Sequence, residues 1–367
     1  MLIRKMVISP GRVIKTTPVF ETYWRFAAER QNLFLKRING DPAPWTDDPV
    51  LATHRFTNVY RAADRVSQYL IANVIYRGPQ TAEEMFFRTL LFKFFNRIET
   101  WEKLTAHVGM PSWRTFDFER YARVLDEILA RGERIYSAAY IMPSPRFGCG
   151  RKHRNHLRLI EYMIRDGAPN RVARSRSLAD VFAALRDYRS IGDFLAFQFA
   201  IDLNYSELIN FSEMEFVVAG PGARDGIHKC FADSGGLCEA DVIRVVTERA
   251  EEEFGRLGLR FQTLWGRPLQ LIDCQNLFCE VDKYARVVHP EFNGTSGRTR
   301  IKQRFKPRAT FLPQWYPPKW GLEIPSAFNG KAQKRGLEMF GIAGQDRSSV
   351  QSTGGAFRDR GPAERVG

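Results

Sequence analysis

Residues 177–203, SLADVFAALRDYRSIGDFLAFQFAIDL, hold two apolar-periodic stretches joined by the short turn Ser190-Ile191-Gly192. Bulky residues at three- and four-residue spacing on each side of the turn predict two helices folded back on one another. The glycine lets backbone amides face outward, and the second helix begins there with its positive dipole end. Amides and dipole together hold a phosphate without reading a base, which makes Gly192 a candidate DNA contact.

The same helical punctuation recurs outward in both directions. Thr17 and Pro18 stand ahead of VFETYWRFAAERQNLFLKRI as a cap and a first helical residue. DPAPWTDDP (41–49) is a rigid connector, and TNVYRAADRVSQYLIANVIY (57–76) reads as a second helix. In TAEEMFFRTLLFKFFNRIETWEKL (81–104), Thr81 and Glu84 form a capping box before a run that is apolar on nearly every face, so this helix is central. Further helices are expected over 117–131, 156–166, 193–203, 240–257 and 273–287, and short strands over 216–218 and 269–272. The expectation is a mostly α protein. Residues 1–16 form an N-terminal extension and 17–325 the helical domain. Residues 326–367, rich in Gly, Ser and charge, make a disordered tail.

Composition narrows the function classes. Hydrophobic residues at 44% and charged ones at 26% suit a globular protein, and 28 Phe promise bulky packing or stacking surfaces. The net charge is +14; the last 42 residues hold seven Lys/Arg against four Asp/Glu, so +11 falls on the body. A basic folded body calls for a polyanionic partner, most simply nucleic acid. Five cysteines (Cys149, Cys230, Cys238, Cys274, Cys279) lack C-x-x-C spacing, which fits a reduced, cytoplasmic setting without a zinc site. No run of residues is long and apolar enough for a membrane span.

The 177–203 hairpin resembles that of the helical DNA glycosylase superfamily, in which a catalytic carboxylate follows the hairpin. Here NFSEMEF (210–216) offers Glu213 and Glu215, and Asp202 lies nearer. A carboxylate beside an extruded base stabilises positive charge or deprotonates a nucleophile. Phe194 stands where lyase-type members carry a nucleophilic lysine, so that chemistry is not expected.

FVVAGPGARDGIHKCF (216–231) is the one stretch that invites comparison with a phosphate loop. Neither Lys nor Ser/Thr follows Gly226 as the Walker motif requires, which disfavours an intrinsic P-loop kinase. Gly220 and Gly222 remain candidates for a backbone nest opening a short helix, with Arg224 and Lys229 beside an anion.

RPLQLIDCQNLFCEVDKYARVVHPE (267–291) places Asp273, Asn276, Glu280 and Lys283 along one helical stripe. With Asp282 nearby, Asp273 and Glu280 are candidate Mg²⁺ ligands or orienting acids. SGRTRIKQRFKPR (296–308) is basic at every second position, Arg298, Arg300, Lys302, Arg304, Lys306 and Arg308, which in an extended segment lines one side with cations for a phosphate backbone. QWYPPKWG (314–321) suits a rigid lid or a stacking surface.

Taken together, PWTDDP, FTNVYRAADRVSQYL, FFRTLLFKFFNRIETW, IGDFLAFQFAIDLNYS, FVVAGPGARDGIHKCF, IDCQNLFCEVDKYAR and SGRTRIKQ resemble one family. It is the helical domain associated with 5-hydroxymethyluracil DNA kinases, also described as alpha-glutamyl/putrescinyl thymine pyrophosphorylases. The resemblance implies a glycosylase-like helical fold with a helix-hairpin-helix element, in a bacterial or phage setting. It also implies action on a flipped 5-hydroxymethyluracil-derived base that a separate kinase has pyrophosphorylated, with an amine displacing pyrophosphate. On that reading Gly220, Gly222, Arg224 and Lys229 cradle the leaving group, and Glu213 or Asp202 is the base. Glu280 and Asp273 orient the amine or a metal, and the 298–308 segment grips DNA. A DNA glycosylase for a modified pyrimidine, or a non-catalytic DNA-binding partner of the kinase, stays open as the alternative.

Overall fold

The computed structural model describes residues 4–9, 11–307, 313–325 and 328. Arg308 and nearly all of the 326–367 tail lie outside the described residues.

The chain starts with a hairpin, β1 (Arg4–Ser9) and β2 (Arg12–Thr16), paired antiparallel with Val7 opposite Val13. Thr17 then accepts a hydrogen bond from the Val19 amide, and Pro18 opens α1 (Pro18–Ile38), as their order implies. The 41–49 connector leads to α2 (Pro49–Thr53), capped by Asp48. A 3₁₀ turn at Arg61–Ala63 precedes α3 (Arg65–Tyr69), which widens into a π-helical turn at Leu70–Ile75.

Next comes α4 (Ala82–Phe95), whose residues from Glu84 to Phe95 are all buried. Burying each of its large side chains contributes about 1.5–3 kcal/mol, which explains why this segment lies at the centre. Asn96 ends it in a left-handed conformation at φ 48°. The capping box is only half formed. Thr81 caps the helix, but the Glu84 carboxylate turns to Ser112 Oγ and the Trp113 and Arg114 amides. Two carboxylate oxygens find three donors there, where one backbone amide was available at the helix start.

The remaining elements are α5 (Ile98–Val108), α6 (Phe118–Ala130), α7 (Lys152–Arg165), α8 (Ala168–Ala173), α9 (Leu178–Arg186) and α10 (Asp193–Leu203). They are followed by α11 (Pro221–Cys230), β3 (Phe231–Asp233), α12 (Glu239–Glu248), α13 (Ala250–Arg256) and α14 (Leu271–Val288). The helix expected over 240–257 is thus two, meeting at Arg249. The strands expected at 216–218 and 269–272 are absent: the first is irregular chain and the second is the entry to α14. Both are short apolar runs, which periodicity alone cannot assign. The strands that do form use the N-terminal residues, with β3 pairing onto β2. Among the described residues the protein is mostly α with one small antiparallel sheet.

The pairing of α11 with α14 explains the glycines of 216–231. A Cβ on Gly226 would lie 2.0 Å from the Phe278 carbonyl oxygen, and one on Gly222 would lie 2.3 Å from Cys279 Sγ. Small residues here let two helix backbones touch.

Candidate functional site

Helix α10 carries Phe194, Gln198 and Asp202 one turn apart along its length, so all three lie on one face. That face runs from the hairpin turn into the core, where Asp202 is fully buried. Arg61, delivered by the 3₁₀ turn, spreads its guanidinium over this stripe. It donates to Asp202 Oδ1 at 2.8 Å, Gln198 Oε1 at 3.1 Å and the Tyr205 hydroxyl at 2.9 Å. Burial opposes its charge most strongly, but the Asp202 carboxylate together with the Tyr205 and Tyr140 hydroxyls raises the Arg61 pKa well above its ordinary value. Lys93 of α4 approaches Asp202 Oδ2 at 3.2 Å and donates to Asn96 Oδ1 at 2.9 Å. The approach of Lys93 is an ion pair without hydrogen-bond alignment, so Asp202 Oδ2 keeps unused acceptor capacity.

The carboxylates of Asp273 and Glu213 border the same region. Asp273 accepts from the Arg61 amide at 2.8 Å and from the Gln270 amide at 3.1 Å, capping α14. Burial first, and then the nearby negative charge of Glu213, push the Asp273 carboxyl up to about 7. Glu213 Oε2 pairs with Arg267 at 3.0 Å, while its Oε1 is buried with no hydrogen-bond partner. The Arg267 guanidinium lies 3.8 Å from the Trp320 ring centre.

Trp320 belongs to the 314–321 segment, whose aromatic rings pack against these elements. Trp315 packs edge-on against Tyr76, its amide bonds Gln68 Oε1 at 2.7 Å, and Trp320 meets Tyr205 edge-on. Lys319 donates to the Ser206 and Ile209 carbonyls at 2.5 and 2.6 Å, and burial lowers its ammonium to about 8.

The structure therefore gathers Asp202, Glu213 and Asp273, but it does not bring the other candidates to the same place. Glu280 accepts from the Thr57 amide at 3.0 Å and from Lys283 at 2.6 Å, bracing the chain just before Arg61. Asp282 is buried between Lys229 at 3.0 Å and Arg286. Asp273, Glu280 and Asp282 thus point to separate partners, and among the described residues no His/Cys/Asp/Glu group is placed to hold a metal ion. The Lys229 ammonium, 2% exposed, is committed to Asp282 and does not reach an anion at the surface. Arg224 is exposed and lies 4.0 Å from Glu239. Gly220 faces the Phe194 ring and Gly222 faces Cys279, and the close packing there leaves no room for a side chain at either position.

Gly192 caps α10 in an extended conformation with open space around it, while Ser190 takes the left-handed turn position at φ 64°. A shallow concavity opens here, lined by Pro143, Arg186, Arg189 and Gly192 among others. Arg298, Arg300, Lys302, Arg304 and Lys306 are all exposed. Their segment forms no regular element beyond an isolated antiparallel bridge between Arg304 and His54, and backbone bonds from Arg55 to Gln303 (3.0 Å) and from Phe305 to Thr53 (2.9 Å) pin it beside α2. Arg298 also lies 3.5 Å from Asp225. Among the described residues no helix is long and apolar enough to cross a membrane.

Sequence reasoning missed Arg61, Lys93, Gln198 and Arg267. Lys93 and Gln198 did carry a signal: each is a lone polar residue in an otherwise apolar helical run, where burial demands a partner. Arg61 and Arg267 sit in mixed polar surroundings that mark nothing.

The family described as "5-hmdU DNA kinase, helical domain" matches residues 17–294. A "5-hmdU DNA kinase" of Bacillus phage SP10 is 28% identical over 288 residues, which cover 72% of this chain and 45% of that protein. The chain thus spans less than half the length of that curated relative. No solved structure matches the chain.

Proposed function

The chain belongs to the family of 5-hmdU DNA kinase helical domains, and from that premise we propose that it modifies a 5-hydroxymethyluracil-derived base extruded from DNA. A separate kinase first places a pyrophosphoryl group on the hydroxymethyl oxygen. An amine nitrogen then forms a bond to the exocyclic methylene carbon. The C–O bond breaks, and its electron pair leaves with pyrophosphate.

The observation that carries this reading is the buried, partnerless Oε1 of Glu213 beside Arg267. A carboxylate oxygen with a free lone pair in a buried site accepts the proton that the amine must lose. Arg267, stacked on Trp320, offers a planar donor fork to the departing phosphates, the role first expected of the 216–231 glycines. Asp202 keeps Arg61 in place behind them. The α9–α10 turn serves as a helix-hairpin-helix element that holds one DNA phosphate, and the basic 298–306 segment follows the backbone.

The test is a DNA oligonucleotide carrying one 5-hydroxymethyluracil, with and without pyrophosphorylation, incubated with the protein and a panel of amines and amino acids. Digestion to nucleosides and mass analysis should show an amine adduct on the pyrophosphorylated DNA alone. Glu213→Gln should slow its formation by about 10²–10⁴-fold, the usual worth of a positioned base. Abasic sites would replace this reading with glycosidic cleavage. DNA bound but unchanged with every donor would leave only a binding module.

A further inference from the structure

Two carboxamides near the mouth of the α10 stripe are left unused by the mechanism above. Gln198 is 4% exposed, and its Oε1 accepts from both Arg61 Nε at 3.1 Å and the Tyr140 hydroxyl at 3.3 Å. Two donors on one oxygen fix the amide's orientation. Its Nε2, with two N–H groups, makes no hydrogen bond to any described residue and is not sealed in the core. Gln275 of α14 is also 4% exposed, and its carboxamide makes no side-chain hydrogen bond to any described residue. Its Nε2 lies 3.5 Å from where a Cβ on Gly220 would stand, and the Phe194 ring is 2.8 Å from that same point. Phe194 in turn faces Tyr140, with ring centres 5.6 Å apart and planes tilted by 31°. Both rings are partly exposed. Gly220, Phe194, Tyr140, Gln198 and Gln275 are therefore contiguous: two aromatic faces with two unsatisfied amides beside them.

Buried polar groups are rarely left without partners, and unused donors this close to stacking surfaces mark a place for a ligand that supplies acceptors. We propose that Phe194 and Tyr140 stack an extruded pyrimidine, and that Gln198 and Gln275 read its edge. Gln198 presents only N–H groups, so it requires a carbonyl oxygen. A uracil-type base offers O4 there, whereas a cytosine-type base offers the N4 amino group, a donor facing a donor. Gln275 has no fixed orientation and pairs with whichever edge remains. The assignment names the specificity determinant of the proposed reaction, and it rests on the reading that a base is extruded into this site.

The test uses the whole chain and oligonucleotides carrying one 5-hydroxymethyluracil or one 5-hydroxymethylcytosine, each pyrophosphorylated on its hydroxymethyl oxygen and each next to 2-aminopurine. Fluorescence of the 2-aminopurine reports extrusion of its neighbour, and anisotropy reports affinity. The wild-type protein should favour the uracil form about tenfold, since one good edge contact discriminates by roughly that factor or more. Gln198→Glu keeps the shape but replaces donors by acceptors, and should abolish or invert the preference. Gln275→Leu has no hydrogen bond to lose, so its melting temperature should hold or rise while affinity for the uracil form falls. A Gln198→Glu protein that melts as the wild type does and keeps the full preference would overturn the assignment, as would undiminished affinity in Gln275→Leu. Extrusion persisting through those results would leave the flipped-base reading standing. If the wild-type protein gave no 2-aminopurine signal, that reading and this assignment would both fall.

Discussion

Two buried aspartates in this protein have partners of the same kinds and different surroundings. Asp202 meets Arg61 and Lys93; Asp282 meets Arg286 and Lys229. In the second cluster both carboxylate oxygens are taken, one by Lys229 and one by Arg286. Lys229 bonds both the carboxylate and the main-chain oxygen of Asp282, with Arg286 one turn away on the same helix, so α11 is stapled to α14. The first cluster is left open. Arg61 extends to Gln198 and Tyr205, one oxygen of Asp202 lacks a hydrogen bond, and the stripe above it ends in half-exposed aromatic rings. A buried carboxylate with a lysine and an arginine is therefore not a site by its composition. What separates a staple from a site here is the acceptor capacity left over on the carboxylate itself after the fold has taken its share.

Removing each aspartate is the strongest way to break this comparison. Asp282→Ala leaves the Lys229 ammonium buried without a counter-charge and should cost about 3–5 kcal/mol, read from urea unfolding. DNA binding by the fraction still folded should be unaffected. Asp202→Asn keeps an acceptor for Arg61 and should cost less, about 1.5–3 kcal/mol for the weakened charged hydrogen bonds, but it should reduce base modification as well. If Asp282→Ala lowered base modification per folded molecule as far as Asp202→Asn did, the distinction between staple and site would be lost.

The glycines sharpen the same contrast at smaller cost. Gly226→Ala drives a methyl group onto the Phe278 carbonyl, at 2.0 Å, so α11 must move away from α14. Overpacking of this kind costs about 1–3 kcal/mol, visible as a lower melting temperature. Gly192→Ala meets open space and should change stability by less than about 1 kcal/mol, while weakening DNA binding if the hairpin amides hold a phosphate. Equal melting temperatures for the two variants would contradict the packing role given to Gly226.

Much of this was legible in the residues, in an uneven way. The 177–203 hairpin and the buried α4 followed from periodicity and apolar content, because helices this apolar have few alternatives. The acids Asp202, Glu213 and Asp273 could be singled out, but their partners could not: Arg61 and Arg267 come from segments 141 and 54 residues away from Asp202 and Glu213, and no local pattern encodes such pairings. The partners of the stripe through Asp273 and Glu280 were hidden for a related reason. Helical spacing puts two side chains on one face, yet it does not say whether a neighbouring loop has claimed them, and here the Thr57 and Arg61 amides had. The 216–231 glycines were read for what their amides might hold, whereas their function in the fold is the absence of a side chain.

The mildest test uses pH. Burial is the main cause that raises two acids, Asp64 to about 6 and Asp273 to about 7, with Asn58 and then Arg61 amides partly opposing it. Their unfolded values lie near 4, at about the reference for aspartate. Between those limits the folded state holds more protons than the unfolded state, so these acids add stability that is fully present below about pH 4. That stability is lost as the pH rises through 6 and 7, and the curve is flat above. Carboxylates held low by partners, such as Asp225 with Ser296 and Thr295, act in the opposite sense and only at the acidic end. Urea midpoints measured from pH 4.5 to 8 should therefore decline more steeply for the wild-type protein than for Asp273→Asn. Parallel curves would mean that Asp273 is already ionised across that range.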